Sequence, residues 1–227
     1  MATTDSKFYN GHRERLRKKF LDDKLAEYEK LEMMLGYVVP RRDVRPLAHA
    51  LLQHFGSLSQ VLAADYKDLI AFPGVGRNIA IFFKLINEIM VDGYKNTITA
   101  QSIFHDYNAL QNYCKYKLAN KSVEEFHVLY LDAELRLIQD EKHSSGTFDS
   151  STVYIREIVK HALELNATNI AFVHNHPAND NGFSNQDIET TEYIQKLLNG
   201  LDIKLVDHFV IGPHTMTSAR SNGLIHD

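Results

Sequence analysis

The sequence predicts an all-helical segment over residues 1–95, followed by a mixed α/β domain over 103–227 with helices flanking its sheet. Three observations point there. Before Asp92 the apolar residues recur at helical spacing and glycines stop the runs. After residue 120, apolar stretches such as Phe126–Leu131 and Ile170–Val173 are short enough for strands. Those strands alternate with three helical patterns, which is how a mixed α/β layer is written.

In chain order, Arg13, Arg15, Arg17, Lys18 and Lys19 form a basic opening that runs into an amphipathic segment. The charges suit either a phosphate backbone or a solvated helix face. Helices are expected at Leu31–Tyr37, at Val44–Phe55 with Gly56 as C-cap, at Leu58–Ala63, and from an Asp65 cap through Ile70. The turn Phe72-Pro73-Gly74-Val75-Gly76-Arg77 then precedes an apolar helix, Ile79–Met90. Two glycines before a helix can bare N–H groups to a phosphate, or simply make a tight connection. It is not a dinucleotide fingerprint, because no strand precedes it.

The polar stretch from Gly93 is expected to be a linker, with a helix from Ile103 to Tyr116 opening the second domain. Phe126–Leu131 and Leu135–Gln139 should pair through Asp132-Ala133-Glu134, with Ser144-Ser145-Gly146-Thr147 a loop. Helices follow at Tyr154–Leu165 and Asn185–Leu198, the second closed by Asn199-Gly200. The last strands are Ile203–Ile211 and a short one within Thr215–Ser218.

His174-Asn175-His176-Pro177 ends the strand at Ile170–Val173. Side chains alternate across a strand, so the two imidazoles share a side, and Pro177 turns the chain away. Ser184 reads as an N-cap, and Asp187, in the next helix's first turn, can point back at the strand end. Ser184 and Asp187 also match a capping box. Two imidazoles and a carboxylate make a three-ligand zinc site with a position left for water.

Composition excludes some alternatives. With 44% hydrophobic and 24% charged residues the chain matches an ordinary globular protein. A net charge of -4 argues against wholesale coating of nucleic acid. Cys114 is the one cysteine, so no internal disulfide forms, and a cytoplasmic location is expected. No run is long enough to span a membrane.

His174-Asn175-His176-Pro177 with Ser184 and Asp187 resembles the JAMM motif of the MPN (JAB) domain, the fold of metal-dependent deubiquitinating enzymes. Residues 103–225 resemble more closely the bacterial RadC (UPF0758) family, through Glu124–Asp132, Ser145-Gly146-Thr147, Ile155–Lys160, Leu165-Asn166-Ala167 and Asp207–Gly212. The turn at 74–76 matches that family's helix-hairpin-helix region. Ala178-Asn179 stands where the family usually has Ser-Gly.

The resemblance implies one Zn²⁺ per chain on His174, His176 and Asp187. It also implies Glu124, just before the first apolar strand, as general base, and Ser184 as an oxyanion donor. Glu125 would face the opposite way, and Glu141 is the reserve base. The expected activity is zinc-dependent hydrolysis of peptide or isopeptide bonds in a peptide or protein substrate. The alternative is a DNA-associated repair or recombination protein with an accessory zinc domain, its non-specific DNA contacts falling on Arg13, Arg15, Arg17, Gly74, Gly76 and Arg77.

Overall fold

A computed structural model describes residues 5–22, 24–40, 42–145 and 152–225. The chain divides into two compact units, 1–88 and 89–227.

The first unit is helical: α1 (Asp5–Leu21), α2 (Glu27–Val38), α3 (Arg45–Phe55), α4 (Leu58–Ala63), α5 (Tyr66–Ala71) and the start of α6 (Arg77–Ala100). Leu16, Leu31, Leu35, Leu51, Val61, Leu69, Ile79 and Phe83 form its buried interior. Helix α2 starts a turn earlier than Leu31, because Glu29 reaches back to accept the Ala26 N–H at 3.0 Å and caps a polar first turn. Gly56 ends α3 at φ 97°, where a side chain would be strained.

The expected linker from Gly93 is instead helix, since α6 continues to Ala100. Val91, Tyr94 and Ile98 recur at helical spacing on the second unit's core, and that burial outweighs the polar composition and the glycine. The next helix starts later than Ile103. Asp106 caps it by accepting the Ala109 N–H at 2.9 Å, giving α7 (Tyr107–Leu118).

The second unit's sheet runs β2-β1-β3-β4-β5: β1 (Glu125–Leu131), β2 (Leu137–Ser145), β3 (Asn169–Asn175), β4 (Lys204–Ile211) and β5 (Met216–Ser218). Among the described residues only the β3–β4 pairing is parallel, so the sheet is mixed, as expected. Helices α8 (Thr152–Glu164) and α9 (Asn185–Asn199) cover the face carrying Phe126, Val128, Ile170 and Phe172. Helix α7 and the end of α6 cover the other face, over Leu129, Leu131, Ala171 and Val173.

Strand β2 extends through Ser145, well past Gln139; Gly146 and Thr147 of the expected loop lie outside the described residues. Its polar residues hid it, because on an edge strand they make ion pairs rather than core. Helix α9 stops where expected, but Gly200 keeps a right-handed φ of -70° and the positive φ falls on Asp202.

Beneath α7, the Asp140 carboxylate meets His127 Nδ1 at 2.7 Å, Lys117 Nζ at 2.5 Å and the Tyr113 hydroxyl. Burial alone would raise this carboxyl, but hydrogen bonds from His127 and the Lys117 charge outweigh it and hold it well below the usual range. A depressed carboxyl adds stability that is complete above the unfolded pKa of about 3.9 and is lost as pH falls towards the folded value. Asp140→Asn should therefore cost about 3 kcal/mol at pH 7. Urea denaturation should show the gap to the wild type closing below about pH 4; a gap constant from pH 7 to pH 3 would contradict the network.

Candidate metal centre

Strand β3 is buried along its length and delivers His174 to the α9 face, paired with Phe126 across β1. His176 lies one residue beyond the strand, its N–H still donating to Ile211 O at 2.9 Å. The two imidazole Nε2 atoms come within 3.0 Å of each other. Asp187 faces both, Oδ1 at 3.4 Å from His174 Nε2 and Oδ2 at 3.5 Å from His176 Nε2. Glu124 completes the group, with ligand atoms of Glu124, His174 and His176 mutually within 4.8 Å. The two imidazole nitrogens thus have a carboxylate beside them from each of two segments, Glu124 before β1 and Asp187 on α9, and two nitrogens with one carboxylate form a donor set that fits a zinc-class ion.

The sequence reading missed a buried chain behind His174. Thr191 donates its one hydroxyl proton to Asp187 O at 2.5 Å. Its oxygen must then accept from His208 Nδ1–H, at 2.7 Å. Burial holds His208 far below the usual imidazole value, so the ring is neutral and its Nε2 is bare. That nitrogen lies 2.8 Å from His174 Nδ1 and takes its proton. His174 Nδ1 therefore carries a proton, which leaves Nε2, the atom facing His176 and Asp187, as the ring's metal-binding nitrogen.

Asn175 does for Glu124 what His208 does for His174. Its side chain is fully buried and points away from the two histidines. Its Oδ1 accepts the Glu125 N–H at 2.8 Å and its Nδ2 donates to Val123 O at 3.2 Å, holding the backbone on both sides of Glu124.

Asp187 carries a strongly depressed carboxyl: burial opposes ionisation, but hydrogen bonds from His174, His176 and Ser184 outweigh it. The hydrogen bond to Asp187 raises His176, against the effect of burial. Ser184 caps α9 as expected, its hydroxyl and N–H both donating to Asp187 Oδ2 at 2.6 and 2.7 Å. The hydroxyl proton is therefore committed to the carboxylate.

The loop after Pro177, which carries Ala178-Asn179, closes on its own side chains. Asn179 Oδ1 accepts the Asn181 N–H at 3.0 Å, and Asp180 Oδ1 ties the loop to the His214 and Thr215 N–H groups. Gly212 permits this approach, since a Cβ there would stand 2.1 Å from Asp180 Oδ1.

Glu125 turns to the opposite sheet face, near His127, Lys121 and Lys142, as its register requires. Glu141 joins a separate cluster with His143 and His161. Cys114 is buried and its thiol pushed up by that burial, which makes it a poor nucleophile.

In the first unit, Arg13 donates to Val39 O at 3.4 Å and Arg42 O at 3.1 Å, fastening α1 to the chain after α2. Arg17 pairs with Glu14 at 3.1 Å on the surface, and Arg15 is exposed. Gly74, at φ 90°, and Gly76 form the turn between α5 and α6, with Gly76 and Arg77 exposed. Among the described residues no helix is long and apolar enough to cross a membrane.

Two comparisons bear on this geometry. Residues 104–224 match the family model described as a RadC-like JAB domain. The chain is 37% identical over 225 residues to a UPF0758 protein of Fusobacterium nucleatum subsp. nucleatum, covering 95% of this chain and 97% of that one. With its histidine pair, its helix-borne aspartate and its JAB-type sheet, the chain belongs to the RadC (UPF0758) family.

Proposed function

We propose that the chain is a zinc-dependent hydrolase of peptide or isopeptide bonds. The observation carrying this reading is the pairing of His174 with His176, both in contact with Asp187 and both grouped with Glu124, whose flanking backbone Asn175 holds. His174, His176 and Asp187 hold the ion. When bound, zinc polarises a carbonyl and brings the pKa of a water down towards ~7.

Glu124 accepts the proton of the attacking water and returns it to the departing amine, so it ends the cycle ionised. Asn175 sets where that carboxylate stands, and the His208–Thr191 chain sets the tautomer of His174. Ser184 orients Asp187; its hydroxyl serves an oxyanion only by releasing Asp187 Oδ2.

Glu124→Gln should retain zinc while hydrolysis of a peptide and isopeptide library falls by roughly two to four orders of magnitude, the weight of a positioned base. Glu125→Gln should stay active. Asn175→Ala should fall between them with zinc still bound. Interchanged outcomes for the two glutamates would remove Glu124 from the reaction.

A second reading rests on the first unit, where the exposed Gly76 and Arg77 open the 24-residue α6. That turn suits non-specific contact with a DNA backbone. Arg13 is spent on carbonyls and Arg17 and Lys19 on carboxylates, so contact is expected to centre on the turn, and each phosphate contact contributes about -0.9 to the slope of log affinity against log salt. The full chain should bind duplex DNA with a slope of roughly -2 to -3, reduced by about 1 in Arg77→Ala. No binding at low salt would leave the unit without a DNA role.

A further inference from the structure

Outside the centre described above, Glu141 and His143 of β2 both meet α8, His143 at a bulge in the β1–β2 ladder, with its ring 6.1 Å from that of His161. Glu141 is registered with Val128, whose side chain packs in the core with Ile158 and Ala162 of α8, so Glu141 lies on the face that α8 covers. His161 comes from α8 to meet them. Glu141 Oε2 lies 2.7 Å from His161 Nδ1 and 3.9 Å from His143 Nε2. One ligand atom from each of the three falls within 4.8 Å of the others. The Tyr130 hydroxyl lies 2.9 Å from that same His143 Nε2, so it must release the nitrogen when the ring ligates.

We propose that Glu141, His143 and His161 form a second cation site, which takes a divalent ion of the zinc class and pins β2 to α8 across residues 146–151. The donors are two imidazoles and one carboxylate, two of them from a strand at i and i+2 and one from a helix. Such a set selects zinc, nickel or copper over magnesium or calcium. The site is reachable: the side chains of Glu141 and His161 are each 28% exposed, while that of His143 is 6% exposed. Twenty residues separate Glu141 from His161, so a bound ion closes a loop and stabilises the folded chain by mass action.

Zinc titration of the chelator-stripped full chain against a chromophoric chelator tests this. Two equivalents per chain are expected for the wild type. His176→Ala should keep one, and its melting temperature should rise on adding zinc. His161→Ala and the near-isosteric Glu141→Gln should each keep one, and His176→Ala/His161→Ala should bind none and show no zinc-dependent rise. A wild-type stoichiometry of one that His176→Ala abolishes would overturn the second site. A stoichiometry of one that His161→Ala abolishes would support it and instead remove the first centre. Two equivalents retained in both His161→Ala and Glu141→Gln would also overturn it.

Discussion

One proton assignment governs the metal centre. A threonine hydroxyl has a single hydrogen, and Thr191 gives it to the Asp187 carbonyl. Everything behind it follows: His208 must donate forward to Thr191 and must accept from His174 Nδ1, which leaves Nε2 as the nitrogen that can ligate. The chain closes on itself, because Asp187, whose backbone begins it, also places its carboxylate opposite the nitrogen that ends it. All of it is buried, so breaking a link strands a polar group without water to replace the lost partner.

The sheet makes this arrangement possible. Parallel pairing of β3 and β4 sets Phe172 beside His208 and His174 beside Val210, so two histidines from separate strands share one face. The connection between those strands is α9, which brings Asp187 and Thr191 over the same face. Antiparallel pairing of β1 with β3 brings the residues before β1 to the end of β3, where Asn175 waits on the other side of the pleat. Alternation thus gives the His174-Asn175-His176 stretch two jobs: the histidines face the metal point, and the asparagine holds the backbone beside Glu124.

How much of this the sequence showed depended on how local the signal was. His174, His176 and Asp187 were legible because spacing, proline and helix cap lie within fourteen residues. The strands with continuous apolar runs were legible too. The roles of Asn175, Thr191 and His208 were not, since their partners lie 50, 17 and 34 residues away. A polar pair, Asp207-His208, inside the otherwise apolar β4 was the available sign that something buried needed partners there. The misplaced linker and the shortened β2 share one cause. Local polarity suggests exposure, but the last part of α6 stays helical by setting the stripe at Val91, Tyr94 and Ile98 against the core, and β2 is an edge strand.

The central claim is that the buried relay aims His174 and His176, with Asp187, at a single metal position. Anomalous diffraction at the zinc edge, on crystals of the zinc-loaded full chain, tests it most directly. The account predicts a peak among His174 Nε2, His176 Nε2 and the Asp187 carboxylate, with His174 Nδ1 still hydrogen-bonded to His208. Zinc bound elsewhere while this point stays empty, or ligation of His174 through Nδ1, would contradict it.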